Sequence, residues 1–214
     1  EEFSAYLAEL LAFDEESFPP DHPFSRVPVS PGGIGLPPKW LLGSSGASAT
    51  AAGQLGFGYA FAAHFSHTPA APAFADYRAA FQPSSDFPEP RTILCLSAII
   101  APTDEEAQFL SASQAVSWAL FVTGEQRKLM PPEEAIERMG SLTAQQQQVI
   151  AHQSSLWLVG SAERMAEVIT EKARAAGADE VMITTTIHSY ELRRRSFGLL
   201  AGALGIEPRS ARDS

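Results

Sequence analysis

The sequence predicts an α/β fold built on a parallel sheet, and two observations carry that prediction. Short apolar runs alternate with helical patterns along most of the chain, and those runs are continuously apolar instead of alternating with polar residues. Parallel strands need crossover helices, and strands covered on both faces need apolar side chains at successive positions. A doubly wound sheet and a segment of a β/α barrel both satisfy these conditions.

The elements follow in order. Phe3, Tyr6, Leu7, Leu10 and Leu11 fall at helical spacing and predict an opening amphipathic helix. Residues 14–38 are rich in Pro, Gly and Ser and have no period; so long a connection is usually functional or mobile. Strand 39–43, helix 46–55, strand 58–63, helix 69–81, strand 91–101 and helix 103–122 come next, and helix 161–176, strand 179–186 and helix 188–204 end the pattern. Thr103 supplies an N-cap hydroxyl with Glu106 three residues on, and Gly177 and Gly205 stand where helices should close. Residues 124–155, with Pro131, Pro132 and the glutamines 145–148, read as an irregular insertion within a single domain over 1–214.

Composition excludes several functions. Fifteen Lys and Arg against 25 Asp and Glu give a net charge of −10, which disfavours a nucleic-acid partner. The basic run Arg193, Arg194 and Arg195 lies inside a helical pattern and reads as a solvated face or a set of carboxylate partners. The single cysteine, Cys95, sits in an apolar run and reads as a buried small side chain. His64 and His67 are near one another, yet no cysteine or paired carboxylate accompanies them, so no metal site is expected. No uncharged apolar run approaches the roughly 20 residues of a membrane span, and Glu1 and Glu2 do not begin a signal peptide. A cytoplasmic protein without a membrane partner is the expectation. Dinucleotide, Walker and nucleophile-elbow motifs are absent; the residue two after Ser45 is Ala47, not Gly.

Two strand-to-helix junctions resemble one another, Leu42-Gly43-Ser44-Ser45 and Leu158-Val159-Gly160-Ser161. Helix starts leave backbone N–H groups unpaired, and these attract anions. After Gly43 the next acidic residue is Asp76, so nothing is expected to oppose an incoming phosphate, and Ser44, Ser45 and Ser48 add hydroxyls. Ser44 or Ser45 serving only as an N-cap is the alternative. After Gly160 the helix begins Ser161-Ala162-Glu163, where a carboxylate already occupies the positive end.

Taken in order, Pro38 to Ser45, Leu55 to Phe65, Asp76-Tyr77-Arg78 and Phe81 with Pro83-Ser84, Ala101 to Ala107, Leu158 to Ser161 and Gly177 to Thr185 resemble the bacterial luciferase-like, flavin-dependent monooxygenases, whose fold is a TIM-type β/α barrel. The resemblance implies that the strand ending at Gly43 is the fifth of that barrel, so that the chain holds strands five to eight as a partial barrel whose first half is absent. It also implies that Leu42, Gly43, Ser44 and Ser45 line the phosphate and ribityl chain of reduced flavin mononucleotide (FMN), with Ser48 one turn into the helix. Phe61, Ala63 and His64 correspond to the strand end against which the family packs the flavin ring and substrate. No catalytic residue is implied here, because the family's catalytic histidine belongs to strands without a counterpart.

The activity so implied is oxygenation of a small organic substrate by reduced FMN and oxygen, with a separate flavin reductase as partner. Coenzyme F420 in place of FMN and a non-catalytic flavin-binding or assembly subunit stay open, as does a phosphosugar-binding barrel. Half a barrel leaves open strand edges and an uncovered apolar face. The expectation is therefore a piece of a longer protein, a pairing with the missing half in a second chain, or a shortened relative that forms homo-oligomers.

Overall fold

The computed structural model describes residues 2–125 and 127–207. Its chain forms two compact units, Glu1–Lys39 and Trp40–Ser214.

In the first unit, helix α1 (Glu2–Asp14) leads into the Pro- and Gly-rich connection. That connection folds around aromatic rings: Phe13 meets Phe18 edge-on at 4.7 Å, and Phe18 stacks on His22 at 4.4 Å. Asp14 ties its ends together, accepting a hydrogen bond from the Leu36 N–H at 2.7 Å and lying 3.6 Å from Lys39 Nζ.

The second unit is an α/β fold on a wholly parallel sheet of β1 (Trp40–Gly43), β2 (Gly58–Phe61), β3 (Thr92–Ala101), β4 (Trp157–Ser161) and β5 (Glu180–Thr184). The crossovers are α2 (Gly46–Gln54), α3 (Ala70–Ala80), α4 (Asp104–Val122), α5 (Pro132–Met139), α6 (Ala144–Ser154) and α7 (Ala162–Ala176), and α8 (Tyr190–Ala203) follows the last strand. Strand β3 is the hub: Thr92 to Leu94 pair with β2, Ile93 to Ser97 with β5, and Ser97 to Ala101 with β4.

One sheet face carries the main core, where Tyr59, Phe61, Leu94, Leu96 and Ile100 meet Ala52, Phe74, Tyr77, Met165 and Ile169 of the helices. The opposite face is covered unevenly. Helix α4 packs on it through Ala107 and Leu110, against Ile99 and Ala101, while Ala60, Ile93 and Cys95 form a small separate cluster. At the sides Trp40, Leu42 and Met182 are exposed. The expected burial on both faces therefore holds for β2 and β3, which are buried throughout, but β1 and β5 alternate because one of their faces has no covering layer.

Local signals act as the sequence suggests. Thr103 Oγ1 accepts from the Glu106 N–H at 3.1 Å, and Gly177 closes α7 with φ +68°, a conformation a side chain would strain. Residues 124–155 differ from expectation: instead of irregular backbone they contain α5 and α6, the latter opened by a capping box between Thr143 and Gln146. Helix α5 packs on α4 through Ala135 and α6 through Ile150, with Leu142 of the link between them, against Ala112, Val116 and Leu120. Among the described residues, no helix is long and apolar enough to cross a membrane.

Candidate functional site

The β1–α2 junction begins with a steric requirement. A side chain at Gly43 would overlap Ser48 Oγ, so only glycine lets the first turn of α2 fold back under the strand end. Ser48 then works inward. Its Oγ donates to the Ser45 carbonyl at 2.8 Å, accepts from the Ser45 N–H at 3.3 Å and lies 3.1 Å from the Tyr59 hydroxyl. Ser45 Oγ accepts from the Ser48 N–H at 3.3 Å, which completes a reciprocal capping box. Burial is the main influence on the Tyr59 hydroxyl and raises its pKa, against its hydrogen bonds with the Ser48 hydroxyl and to the Ser45 carbonyl.

The hydroxyls of Ser45 and Ser48 are thus engaged in capping, whereas Ser44 is exposed and makes no side-chain hydrogen bond among the described residues. Gly46 and Ala47 open α2 at positions where N–H groups have no intrahelical acceptor, and the first turn of α2 holds no acid of its own. Tertiary structure supplies one. A Cβ built on Gly46 would lie 2.7 Å from Asp76 Oδ2, so a carboxylate of α3 stands beside the first residue of α2. This corrects the expectation that nothing acidic reaches that helix start.

Beside Glu163, which stands in the first turn of α7 as expected, the second junction holds a carboxylate from another element. Asp104, at the start of α4, accepts from the Ser161 N–H at 2.7 Å and from Arg164 Nε at 3.2 Å. The Ser161 N–H first, and then Arg164, hold the Asp104 carboxyl below its ordinary pKa. Ser161 makes no side-chain cap, and a side chain at Gly160 would run into Arg164 and Asp104.

The three residues expected around a flavin ring are separated. Phe61 is fully buried with its ring edge-on to Phe74 at 6.1 Å, so its side chain belongs to the core and not to a pocket. The reason is strand parity: Phe61 shares the helix-covered face with Tyr59, whereas Ala60 faces the other way. Ala63 lines a cavity of about 350 Å³ with Leu94 and Leu96. His64 lines a different one, of about 810 Å³, over Ser97 of β3 and Thr184 of β5 and against Gln114, Trp118 and Phe121 of α4. The His64 N–H donates to the Cys95 carbonyl at 3.1 Å, and Gln153 Nε2 donates to the His64 carbonyl at 2.9 Å. Leu42 is 58% exposed on the uncovered sheet face, in register with Ala60.

Sequence reading did not identify the α4 wall of the larger cavity. Its available signal was Ser113 and Gln114, polar residues inside a helix buried for most of its circumference. No cluster of three or more His, Cys, Asp or Glu side chains able to hold a metal is assembled among the described residues.

The profile of the family described as luciferase-like monooxygenase matches residues 1–180. The uncharacterized protein YvbT of Bacillus subtilis is 35% identical over 94% of this chain and 58% of its own length. A luciferase-like monooxygenase of Escherichia coli K12 is 32% identical over 92% of this chain and 57% of its own. The crystal structure of apo-MsnO8 superposes with a TM-score of 0.80 at 34% identity, covering 98% of this chain and 62% of that one. The chain thus spans about three fifths of the length of the relatives it matches.

Proposed function

The chain belongs to the luciferase-like monooxygenase family, and from that premise we propose that it supplies the cofactor-phosphate end of a flavin-dependent monooxygenase acting on a small organic molecule. The observation that carries this reading is the β1–α2 junction, where N–H groups of Gly46 and Ala47 lack intrahelical acceptors and Ser44 has an uncommitted hydroxyl.

The donor set fits a phosphate in kind. Backbone N–H groups hold a phosphate oxygen without carrying charge of their own, and the helix dipole adds to their field. Gly43 admits the tight turn, Ser45 and Ser48 keep the donors in place, and Leu42 offers an apolar surface before them. Asp76 sets a limit, because a carboxylate beside Gly46 lowers the potential that a dianion senses. FMN is the proposed occupant and supplies the activation of oxygen; coenzyme F420 is the alternative. Reduction of the flavin is assigned to a separate nicotinamide-dependent reductase.

The uncovered sheet face, with Leu42 and Met182 exposed, supports the reading that strands corresponding to the rest of the relatives' length pack there as the other half of a barrel. A homo-oligomer covering the same face is the second arrangement. Catalytic residues are assigned to that other half, and none to this chain.

The test is a titration with FMN and with riboflavin, which has the same ring and no phosphate. FMN should bind at least about tenfold more tightly, the value of one charge-assisted hydrogen bond. Equal affinities would overturn the phosphate assignment, and Ser44→Ala should reduce the difference.

A further inference from the structure

We infer that the cavity of about 350 Å³ on the helix-covered face of the sheet binds a short aliphatic carboxylate. Its inner wall is apolar. Leu94 and Leu96 of β3 are joined there by Ala175 and Ala176 at the end of α7, and no Phe, Tyr or Trp among the described residues lines it. An alkyl body gains by covering such a surface, whereas a flat conjugated one finds no aromatic ring to stack on. The volume lies at the small end of the range for ligand pockets, which limits the body to a few carbons.

The rim is basic. His67 and Thr68 come from the link between β2 and α3 and Lys172 from α7, and no Asp or Glu among the described residues lines the cavity. The ring of His152, on α6, lies 4.1 Å from that of His67 with the planes inclined by 44°. Lys172 and Thr68 make no side-chain hydrogen bond or ion pair among the described residues, so an ammonium and a hydroxyl are left to donate. The chain as a whole has 25 Asp and Glu against 15 Lys and Arg, yet none of those acids lines this cavity with the lysine and His67. A carboxylate is the group that such donors lack. The ligand class follows from the two ends together: an alkyl body against Leu94 and Leu96, and a negative head toward Lys172 and Thr68.

Successive residues of β3 face opposite sides of the sheet. Leu94 and Leu96 belong to the main core, whereas Ser97 lines the larger cavity against α4, so the sheet stands between the two cavities. No lining residue belongs to β1 or α2. The inference therefore rests neither on the phosphate junction nor on what covers the opposite sheet face.

Ligand-observed NMR titrations with 4-methylpentanoate, 4-methyl-1-pentanol and acetate test the inference. The larger carboxylate should bind about fivefold more tightly than the alcohol at low salt and lose that margin as salt is added, because the rim is near solvent. Acetate, which has the charge without the body, should bind at least about tenfold more weakly. Lys172→Met, at an exposed position, should remove the margin of acid over alcohol, and Ala175→Leu, also exposed, should weaken both by filling the cavity. Circular dichroism checks that both variants are folded. Equal binding of acid and alcohol by the parent, an unchanged margin in Lys172→Met, or indifference to Ala175→Leu would each overturn the inference. Saturating FMN should leave these affinities as they are; competition by FMN would place the carboxylate at the flavin site and overturn it too.

Discussion

The backbone N–H of Ser161 donates to Asp104 Oδ1 at 2.7 Å, so the start of α7 is closed by a carboxylate from the start of α4. Two helix N-termini meet at this point, and one acid serves both: it lies in the first turn of its own helix and accepts from the other. Arg164 completes the group at 3.1 Å from the same oxygen.

The folded-state pKa of Asp104 is depressed, first by the Ser161 N–H and then by Arg164. Its contribution to stability is therefore full above the unfolded carboxyl value of about 4 and is lost as pH falls through the lower folded value. Asp104→Asn should be less stable than the parent at neutral pH, with the gap closing toward pH of about 3. Denaturant midpoints at the two pH values check this. A gap independent of pH would remove the charge from the explanation.

The serines of the first junction separate by role. Ser45→Ala and Ser48→Ala each remove half of a capping box and should cost about 1 kcal/mol of stability. Ser44→Ala should leave stability within about 0.5 kcal/mol and instead weaken FMN binding by about 1 kcal/mol. Thermal unfolding and flavin titration on the same three variants decide it. If Ser44→Ala binds FMN like the parent, its hydroxyl is not a phosphate ligand.

Asp76→Asn removes the negative charge beside Gly46. FMN affinity should rise by about 0.3–1 kcal/mol, and the gain should shrink as salt is added, because both groups are near solvent. A gain that persists in high salt would point to a steric effect, and no gain would place the phosphate elsewhere.

Two glycines should respond in opposite ways to alanine. A Cβ at Gly53 would lie 2.6 Å from the Tyr77 carbonyl oxygen and 3.0 Å from backbone atoms of Ala80 and Phe81, so α2 and α3 would have to move apart. Gly53→Ala should cost about 1–3 kcal/mol. At Gly198, in α8, a Cβ meets nothing within 4 Å, and the substitution should stabilise by about 0.5–1 kcal/mol through helix propensity. Urea unfolding of both variants is the measurement; a similar response from both would contradict the α2–α3 contact distance.

Phe61 shows where strand reading reaches its limit. The run Gly58 to Phe61 is legible as a buried strand, but in a continuously apolar strand nothing distinguishes the residues that face the helices from those that face the other side. The resemblance groups Phe61 with Ala63 and His64 at one strand end, and parity sends Phe61 into the core. Helices α5 and α6 were obscured for another reason: few apolar residues, Ala135, Met139 and Ile150 among them, carry their packing on α4.

By itself the sequence determined what depends on near neighbours. The alternation of strand and helix follows from hydrophobic runs and periods, the caps at Thr103 and Gly177 from residues within one turn, and the turn at Gly43 from the absence of a side chain. Only tertiary structure decided which charge reaches each helix start, since Asp76 arrives at α2 from α3 and Asp104 at α7 from α4. It alone also brought Phe65, after β2, against Trp118 of α4. Electrostatic and packing forces act through space over a few ångströms, and separation along the chain does not measure that distance.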